Sequence, residues 1–127
     1  MFKKQFYNFM SSIFFLGALL FFNPTNVYAA DTWIYSEDRN GNHYEYYLDL
    51  DYVLDMQKPG FSVPAKTVKN GTLSNNDRMI FTIINNRWYW KYSSSSMYPS
   101  LVNEDILFQK LFDACIPYSK WARQYPR

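Results

Sequence analysis

Asn40-Gly41 is the dipeptide that most restricts the possible folds of this chain, because an Asn-Gly pair between two strand-like segments strongly predicts a β-hairpin. A type I′ turn needs positive φ at both central positions, which Asn and Gly tolerate. With these two residues as the loop, the flanking segments TWIYSEDR and NHYEYYLD pair as follows: Tyr35 with Tyr46, Trp33 with Leu48, and Glu37 with Tyr44. One side of this ribbon is then mostly aromatic or apolar, which is typical of an antiparallel sheet that is covered on one face.

A second hairpin is predicted with Asn85-Asn86 as its turn, since asparagine also tolerates positive φ. Its register creates an apolar face of three pairs: Ile83 with Trp88, Phe81 with Trp90, and Met79 with Tyr92. The opposite face pairs Ile84 with Arg87, Thr82 with Tyr89, and Ile80 with Lys91. Because a sheet of this size must bury one face, we interpret Trp88 and Trp90 as core rather than as a platform for a ligand.

The segment between the hairpins is predicted to hold a third strand. Residues 61–69 (FSVPAKTVK) alternate between apolar and polar side chains, but Pro64 cannot donate to a strand ladder. An edge strand or a bulge is therefore expected there. The stretch from Asn70 to Asp77 (NGTLSNND) is interpreted as a polar loop.

The C-terminal part predicts one helix. Asn103 is the expected N-cap, apolar residues recur at helical spacing from Ile106 to Cys115, and Pro117 ends or kinks the helix near Cys115. We expect an α+β fold, an antiparallel β-sheet of four or five strands with one C-terminal α-helix packed on its aromatic face.

The N-terminus matches a secretory signal. A basic start precedes an apolar run of ten residues from Ile13 to Phe22, and Val27 and Ala29 supply small residues before a cleavage site. About 20 apolar residues would be needed to span a membrane. Residues 1–29 are thus predicted to be a signal peptide, cleaved after Ala29 or Ala30, and residues 30–127 a single domain with no membrane span. The expected location is the periplasm or the cell surface and extracellular space.

Charge is unevenly distributed along the predicted domain. Residues 31–57 carry seven acids and one base, a net charge of −6, whereas residues 58–127 carry ten bases and four acids, a net of +6. The total is near neutral, which argues against nucleic acid as a partner. The two halves either neutralise each other across the sheet or form a dipolar surface that meets a charged partner.

The residues that could carry catalysis are few. His43 is the only histidine and Cys115 the only cysteine, so a thiol–base pair would have to combine these two, although Cys115 lies in an apolar stretch and is expected to be buried. Asp49, Asp51 and Asp55 could meet a hard cation but lack the EF-hand pattern. We expect no catalytic residues, no metal and no cofactor.

Binding residues are expected on the polar side of the second hairpin. Arg87, Tyr89 and Lys91 alternate there, and Tyr47 is a further aromatic expected outside. Tyr and Arg are favoured at interface hot spots, although single exposed tyrosines are also ordinary on protein surfaces.

Three short segments resemble small exported bacterial proteins of the surface-adhesin protein E type. They are Trp33-Ile34, Tyr46-Tyr47-Leu48-Asp49 and Lys66-Thr67-Val68-Lys69. The resemblance implies an antiparallel sheet with one helix, a surface or periplasmic location, and adhesion to host matrix or plasma proteins. The function expected is an exported, non-enzymatic binding domain that contacts a protein partner. A periplasmic accessory or inhibitor-like domain for an envelope protein is the alternative, and a hydrolase using acids near Asp49 is a third hypothesis.

Overall fold

The computed structural model describes residues 30–127, so the predicted signal peptide lies outside the described residues. Seven strands form one antiparallel sheet that curls into a half-barrel. They are β1 (Thr32–Arg39), β2 (Asn42–Leu48), β3 (Leu54–Asp55), β4 (Gly60–Lys69), β5 (Thr72–Ile84), β6 (Arg87–Tyr92) and β7 (Ser100–Leu101). The strand order is β1-β2-β4-β5-β6-β7, and β3 pairs with β4.

Two helices follow the sheet: α1 (Ile106–Cys115) and α2 (Lys120–Gln124). Short 3₁₀ turns cover Leu50–Tyr52, Val102–Glu104 and Ile116–Tyr118. The residue that caps α1 is Asp105, whose side chain accepts from the backbone N–H of Leu107 at 2.9 Å. The expectation that Asn103 is the cap is therefore wrong, because Asn103 already lies inside the preceding turn. The helix ends at Cys115, as Pro117 predicted.

The α+β class is confirmed, whereas the expected strand count of four or five is too low. The five long strands were all predicted. The two extra strands, β3 and β7, are only two residues long each, so neither could show a period-two pattern.

Three hairpin turns place asparagine or glycine at positive φ. They are Asn40-Gly41, Asn70-Gly71 and Asn85-Asn86, with φ between 51° and 82°. The turn at Asn70-Gly71 corrects the predicted polar loop, because β5 already begins at Thr72 and runs through the expected loop. The dipeptide that indicated the first hairpin thus occurs a second time.

The register of the second hairpin is confirmed for all six predicted pairs. In the first hairpin the predicted pairs of Tyr35 and Glu37 are confirmed, but Trp33 lies opposite Tyr47 instead of Leu48. A bulge between Trp33 and Tyr35 shifts the register by one residue and turns Trp33 to the opposite face. Its side chain is 55% exposed, and its indole N–H donates to Ser36 Oγ at 2.7 Å.

Strand β4 is central, so the first alternative predicted from Pro64, an edge strand, is wrong. The second alternative, a bulge, corresponds to a register shift in this strand between Thr67 and Val68. Pro64 lies opposite Arg78 of β5 on one side, and on the other its carbonyl accepts from the N–H of Asp49. In a strand the N and C=O of one residue point to the same side. That side is the gap where β2 has ended at Leu48 and β3 has not begun, so the missing donor costs no ladder bond.

The core lies between α1 and the inner face of the sheet, which is the face that carries Trp88 and Trp90. Phe112 of α1 is fully buried, and its ring packs against those of Phe61, Phe81 and Trp88 at centroid distances of 5.7, 5.6 and 4.9 Å. Phe108 stacks on Trp90 at 3.7 Å. The helix therefore covers the aromatic face, as predicted. Among residues 30–127 no helix is long and apolar enough to cross a membrane.

Within the described residues, one ion pair joins the acidic and basic halves of the sequence. Asp31 Oδ2 and Lys66 Nζ lie 2.9 Å apart, with side chains only 6% and 10% exposed. Other ion pairs stay within one half: Arg39 with Glu37, His43 with Asp38 and Glu45, and Arg127 with Asp113. Neutralisation across the sheet is thus seen at Asp31 and Lys66, while much of the charge separation persists.

Candidate interaction surface

Strand β6 presents Arg87, Tyr89 and Lys91 on the outer face of the sheet, opposite the core. Trp88 and Trp90 alternate with them and face inward, towards α1. Arg87 is exposed, and the other two side chains are half-buried. The structure therefore brings three of the four expected binding residues side by side, about 7 Å apart along one strand.

Tyr47 is separated from these three residues, although it shares the outer face. It lies on β2, two intervening strands away from β6, a separation of about 14 Å or more. Its hydroxyl donates to Glu45 Oε1 at 2.8 Å. Burial, and then the nearby Glu45 carboxylate, raise the pKa of Tyr47 to about 12. Tyr47 is thus a locally bonded residue and not a part of the surface around Tyr89.

The surface around Tyr89 continues across the sheet as an apolar strip. Cross-strand pairing links Lys91 to Ile80, Ile80 to Ser62, and Ser62 to Leu54. The next row links Tyr89 to Thr82 and Thr82 to Gly60. We call the resulting surface the outer strip; its members are Leu54, Met56, Ile80, Thr82 and Tyr89.

Gly60 allows Met56 to close this strip. A Cβ atom at Gly60 would lie 2.8 Å from the carbonyl oxygen of Phe81 and 3.2 Å from Met56 Sδ. The absence of a side chain at Gly60 therefore leaves the space that the Met56 thioether fills, next to the Thr82 methyl group. Leu54 is 54% exposed and Met56 40% exposed, so the strip presents apolar surface to solvent.

Cations border the outer strip. The guanidinium of Arg78 donates through Nη1 to Ser62 Oγ at 3.0 Å and to the Tyr52 carbonyl at 3.1 Å, which fixes its position. Lys91 and Arg87 lie on the same face, on β6. The acids Asp38 and Glu45 lie on this face too, but at its far end beside the first hairpin turn. The outer face is therefore dipolar, with an apolar strip at its basic end.

At the acidic end, His43 lies between two carboxylates. Its Nδ1 is 2.8 Å from Asp38 Oδ1, and its Nε2 is 3.2 Å from Glu45 Oε2. These hydrogen bonds, the one to Asp38 first, raise the pKa of His43 above its ordinary value near 6.5. His43 is exposed.

We expect the imidazole of His43 to titrate above pH 6.5, and replacing Asp38 by Asn to lower its pKa. Because the charged imidazole is favoured in the folded state, the stabilisation from these contacts is complete below about pH 6.5 and disappears as the pH rises through the raised pKa. An NMR titration of the ring C–H signals measures this pKa. Asp51→Asn serves as the control and should leave it unchanged; equal pKa values for all three proteins would contradict the assignment.

The structure separates the thiol and the imidazole that could have formed a thiol–base pair. Cys115, the last residue of α1, is fully buried, and burial raises the pKa of its thiol to about 12, whereas His43 is exposed at a hairpin turn. Asp49 caps a 3₁₀ turn, and Asp55 accepts from Ser119 Oγ at 2.6 Å and from the N–H of Lys120 at 3.1 Å. Within residues 30–127 no group of three or more His, Cys, Asp or Glu side chains could hold a metal ion.

Leu54, Met56 and Arg78 are the surface residues that sequence analysis missed. Leu54 and Met56 fall in a stretch to which no strand was assigned, and their alternation with Asp55 is too short to indicate one. Arg78 falls between the predicted polar loop, which ends at Asp77, and the predicted strand pairs, which begin at Met79. The remaining signal was the second Asn-Gly dipeptide, which would have placed Arg78 on β5.

Comparison with protein-family models, with curated proteins and with solved structures finds no match to this chain.

Proposed function

We propose that this protein is an exported, non-enzymatic binding domain that docks a protein partner on the outer strip. The single observation that carries the proposal is the exposed apolar surface of Leu54 and Met56, continued by the half-buried Ile80 and bordered by cations on the same face. Contiguous exposed apolar surface with a polar border is typical of an interaction site, whereas scattered single residues are not.

The chemistry of the strip defines the partner. Arg78, Arg87 and Lys91 favour an acidic border on the partner, and the Met56 thioether adapts to an apolar centre of varied shape. Tyr89 adds a rigid aromatic contact at the edge of β6.

Two partners fit this description and the expected export. The resemblance to surface-adhesin protein E favours a host matrix or plasma protein. The alternative is an acidic envelope protein of the same cell, for which the domain would be a periplasmic accessory or inhibitor-like subunit. Both use the same surface, so the identity of the captured protein distinguishes them.

Site-specific photo-cross-linking tests the proposal. A photoreactive phenylalanine derivative at position 89 should cross-link to one dominant protein, either in intact cells or after exposure to plasma and matrix proteins. The same derivative at Lys110, exposed on α1, is the control and should not. Absence of a product specific to position 89 under both conditions would refute docking on the outer strip.

Charge reversal tests the electrostatic part. The double variant Arg87→Glu/Lys91→Glu should bind the captured partner at least about tenfold more weakly, because two favourable contacts become repulsive. Lys110→Glu makes the same kind of charge change elsewhere and should leave the affinity within about twofold.

A further inference from the structure

A second candidate site lies on the inner face of the sheet, beyond the N-terminal end of α1. It is a cleft of about 330 Å³ between the tip of the first hairpin and the start of the helix. Successive strands supply its floor, from Tyr46 on β2 through Thr67 and Asn75 to Tyr92 on β6. Its volume falls in the range of small-molecule sites, roughly 300–1,000 Å³.

One wall of the cleft is a bonded trio of side chains. The Tyr46 hydroxyl donates to Glu37 Oε2 at 2.8 Å and accepts from Arg39 Nη2 at 3.3 Å. Arg39 Nε lies 3.4 Å from the same Glu37 oxygen. Among the described residues this leaves Glu37 Oε1 as an acceptor and Arg39 Nη1 as a donor, both on residues that line the cleft. The Arg39 guanidinium also lies over the Tyr44 ring at 4.4 Å, which holds the trio in place.

The opposite wall offers a donor. Tyr92 lines the cleft together with Thr67 and Asn75. Burial raises the pKa of Tyr92, and the side chains of Asn75 and Thr67 oppose that shift. A tyrosine hydroxyl can donate one hydrogen bond, so Tyr92 supplies a donor to this wall. The ring of Phe108, held against Trp90, adds an aromatic surface to this side.

The charges of the cleft nearly cancel. Glu37 and Arg39 pair with each other, and the Asp105 carboxylate is engaged at the positive end of α1. An anionic ligand would meet Glu37 and Asp105, and a cationic ligand would meet Arg39. The lining therefore suits a neutral ligand whose polar groups both donate and accept.

We propose that this cleft binds a ring of a neutral saccharide. Sugar hydroxyls both donate and accept, which matches Glu37 Oε1, Arg39 Nη1 and the Tyr92 hydroxyl, and the C–H face of a pyranose is apolar enough to lie on an aromatic ring. The site is on the opposite face of the sheet from the outer strip, so it does not depend on the protein-docking proposal.

Saturation-transfer NMR with the purified protein tests this site. The probes are lactose, mannobiose, maltose and a disaccharide of bacterial peptidoglycan whose lactyl carboxylate is capped as an amide to keep it neutral, each at millimolar concentration. At least one should receive saturation on its ring C–H groups. Preference for lactose or mannobiose would identify host glycans as the source of the saccharide, and preference for the peptidoglycan disaccharide would identify the bacterial envelope.

Matched variants locate the binding. Tyr92→Phe and Glu37→Gln should each weaken the best probe about fivefold, the effect of one lost hydrogen bond. Tyr118→Phe removes an exposed hydroxyl elsewhere and should not weaken it; thermal unfolding checks that all three variants fold. No binding of any probe, unchanged affinity in both cleft variants, or tighter binding of putrescine than of every saccharide would overturn the proposal. The charge-reversed outer-face variant should bind the saccharide normally, which separates failure here from failure of protein docking.

Discussion

Replacing Phe112 by alanine is expected to lower the free energy of unfolding by about 3–5 kcal/mol. The ring is fully buried and packs between Phe61, Phe81 and Trp88, so its loss leaves a cavity at the centre of the helix–sheet contact. A domain of this size has only about 5–15 kcal/mol of stability in total. Urea unfolding followed by tryptophan fluorescence measures the change.

Ile106→Ala is the matched control for Phe112→Ala. Ile106 lies on the same helix but is half exposed, and alanine favours helix, so the expected cost is below about 1 kcal/mol. Similar losses for the two variants would mean that α1 does not cover the aromatic face through Phe112.

Replacing Ser119 by alanine is expected to lower the free energy of unfolding by about 3 kcal/mol, because one hydroxyl makes two hydrogen bonds, one buried and one partly buried. Ser119 is fully buried; its Oγ donates to Asp55 Oδ1 at 2.6 Å and accepts from the N–H of Ala122 at 3.2 Å, which caps α2. The variant thus loses a helix cap and a hydrogen bond to a carboxylate. The same urea unfolding measurement applies.

A double-mutant cycle with Asp55→Ala checks that the two residues act together. If the Ser119–Asp55 bond carries much of the loss, the double variant should be at least about 1 kcal/mol more stable than the sum of the single changes implies. Strict additivity would show that the bond contributes little. Because Asp55 lies between Leu54 and Met56, loosening this bond should also weaken partner binding at the outer strip.

Most of what was predicted correctly about the fold came from the residues in the hairpin turns. Asn85-Asn86 gave the whole register of the second hairpin, and Asn40-Gly41 gave that of the first as far as the bulge at Trp33, because a two-residue loop leaves the adjoining strands one way to pair. The same rule applied at Asn70-Gly71 and was missed there, since the polar residues that follow suggested a loop. The edge strand predicted from Pro64 was wrong for a different reason. The missing N–H of a proline removes a ladder hydrogen bond only where a neighbouring strand lies opposite it, and the whole sheet decides where that neighbour lies.

The sequence predicted the residues of a candidate surface only where those residues all lie on one strand. Alternation along β6 was enough to place Arg87, Tyr89 and Lys91 together. The position of Met56 depends on the empty space above Gly60, and no period-two pattern reveals the bulge near Trp33. The cleft is assembled from five strands and the start of a helix, so its residues share no segment of sequence.

The two Asn-Gly turns also determine where this chain is expected to deamidate first. In an Asn-Gly sequence the glycine nitrogen attacks the asparagine side-chain carbonyl, ammonia leaves, and water opens the resulting ring to aspartate or isoaspartate.

At Asn70 the side-chain amide is held by two hydrogen bonds, since Oδ1 accepts from the N–H of His43 at 2.8 Å and Nδ2 donates to Asn42 Oδ1 at 2.9 Å. Within the described residues, the Asn40 side chain has no such bond. Deamidation should therefore begin at Asn40, and peptide mapping after incubation in mildly alkaline buffer would detect it there before Asn70. Each event adds a negative charge to the acidic end of the outer face, so a long-lived molecule would become more dipolar with time.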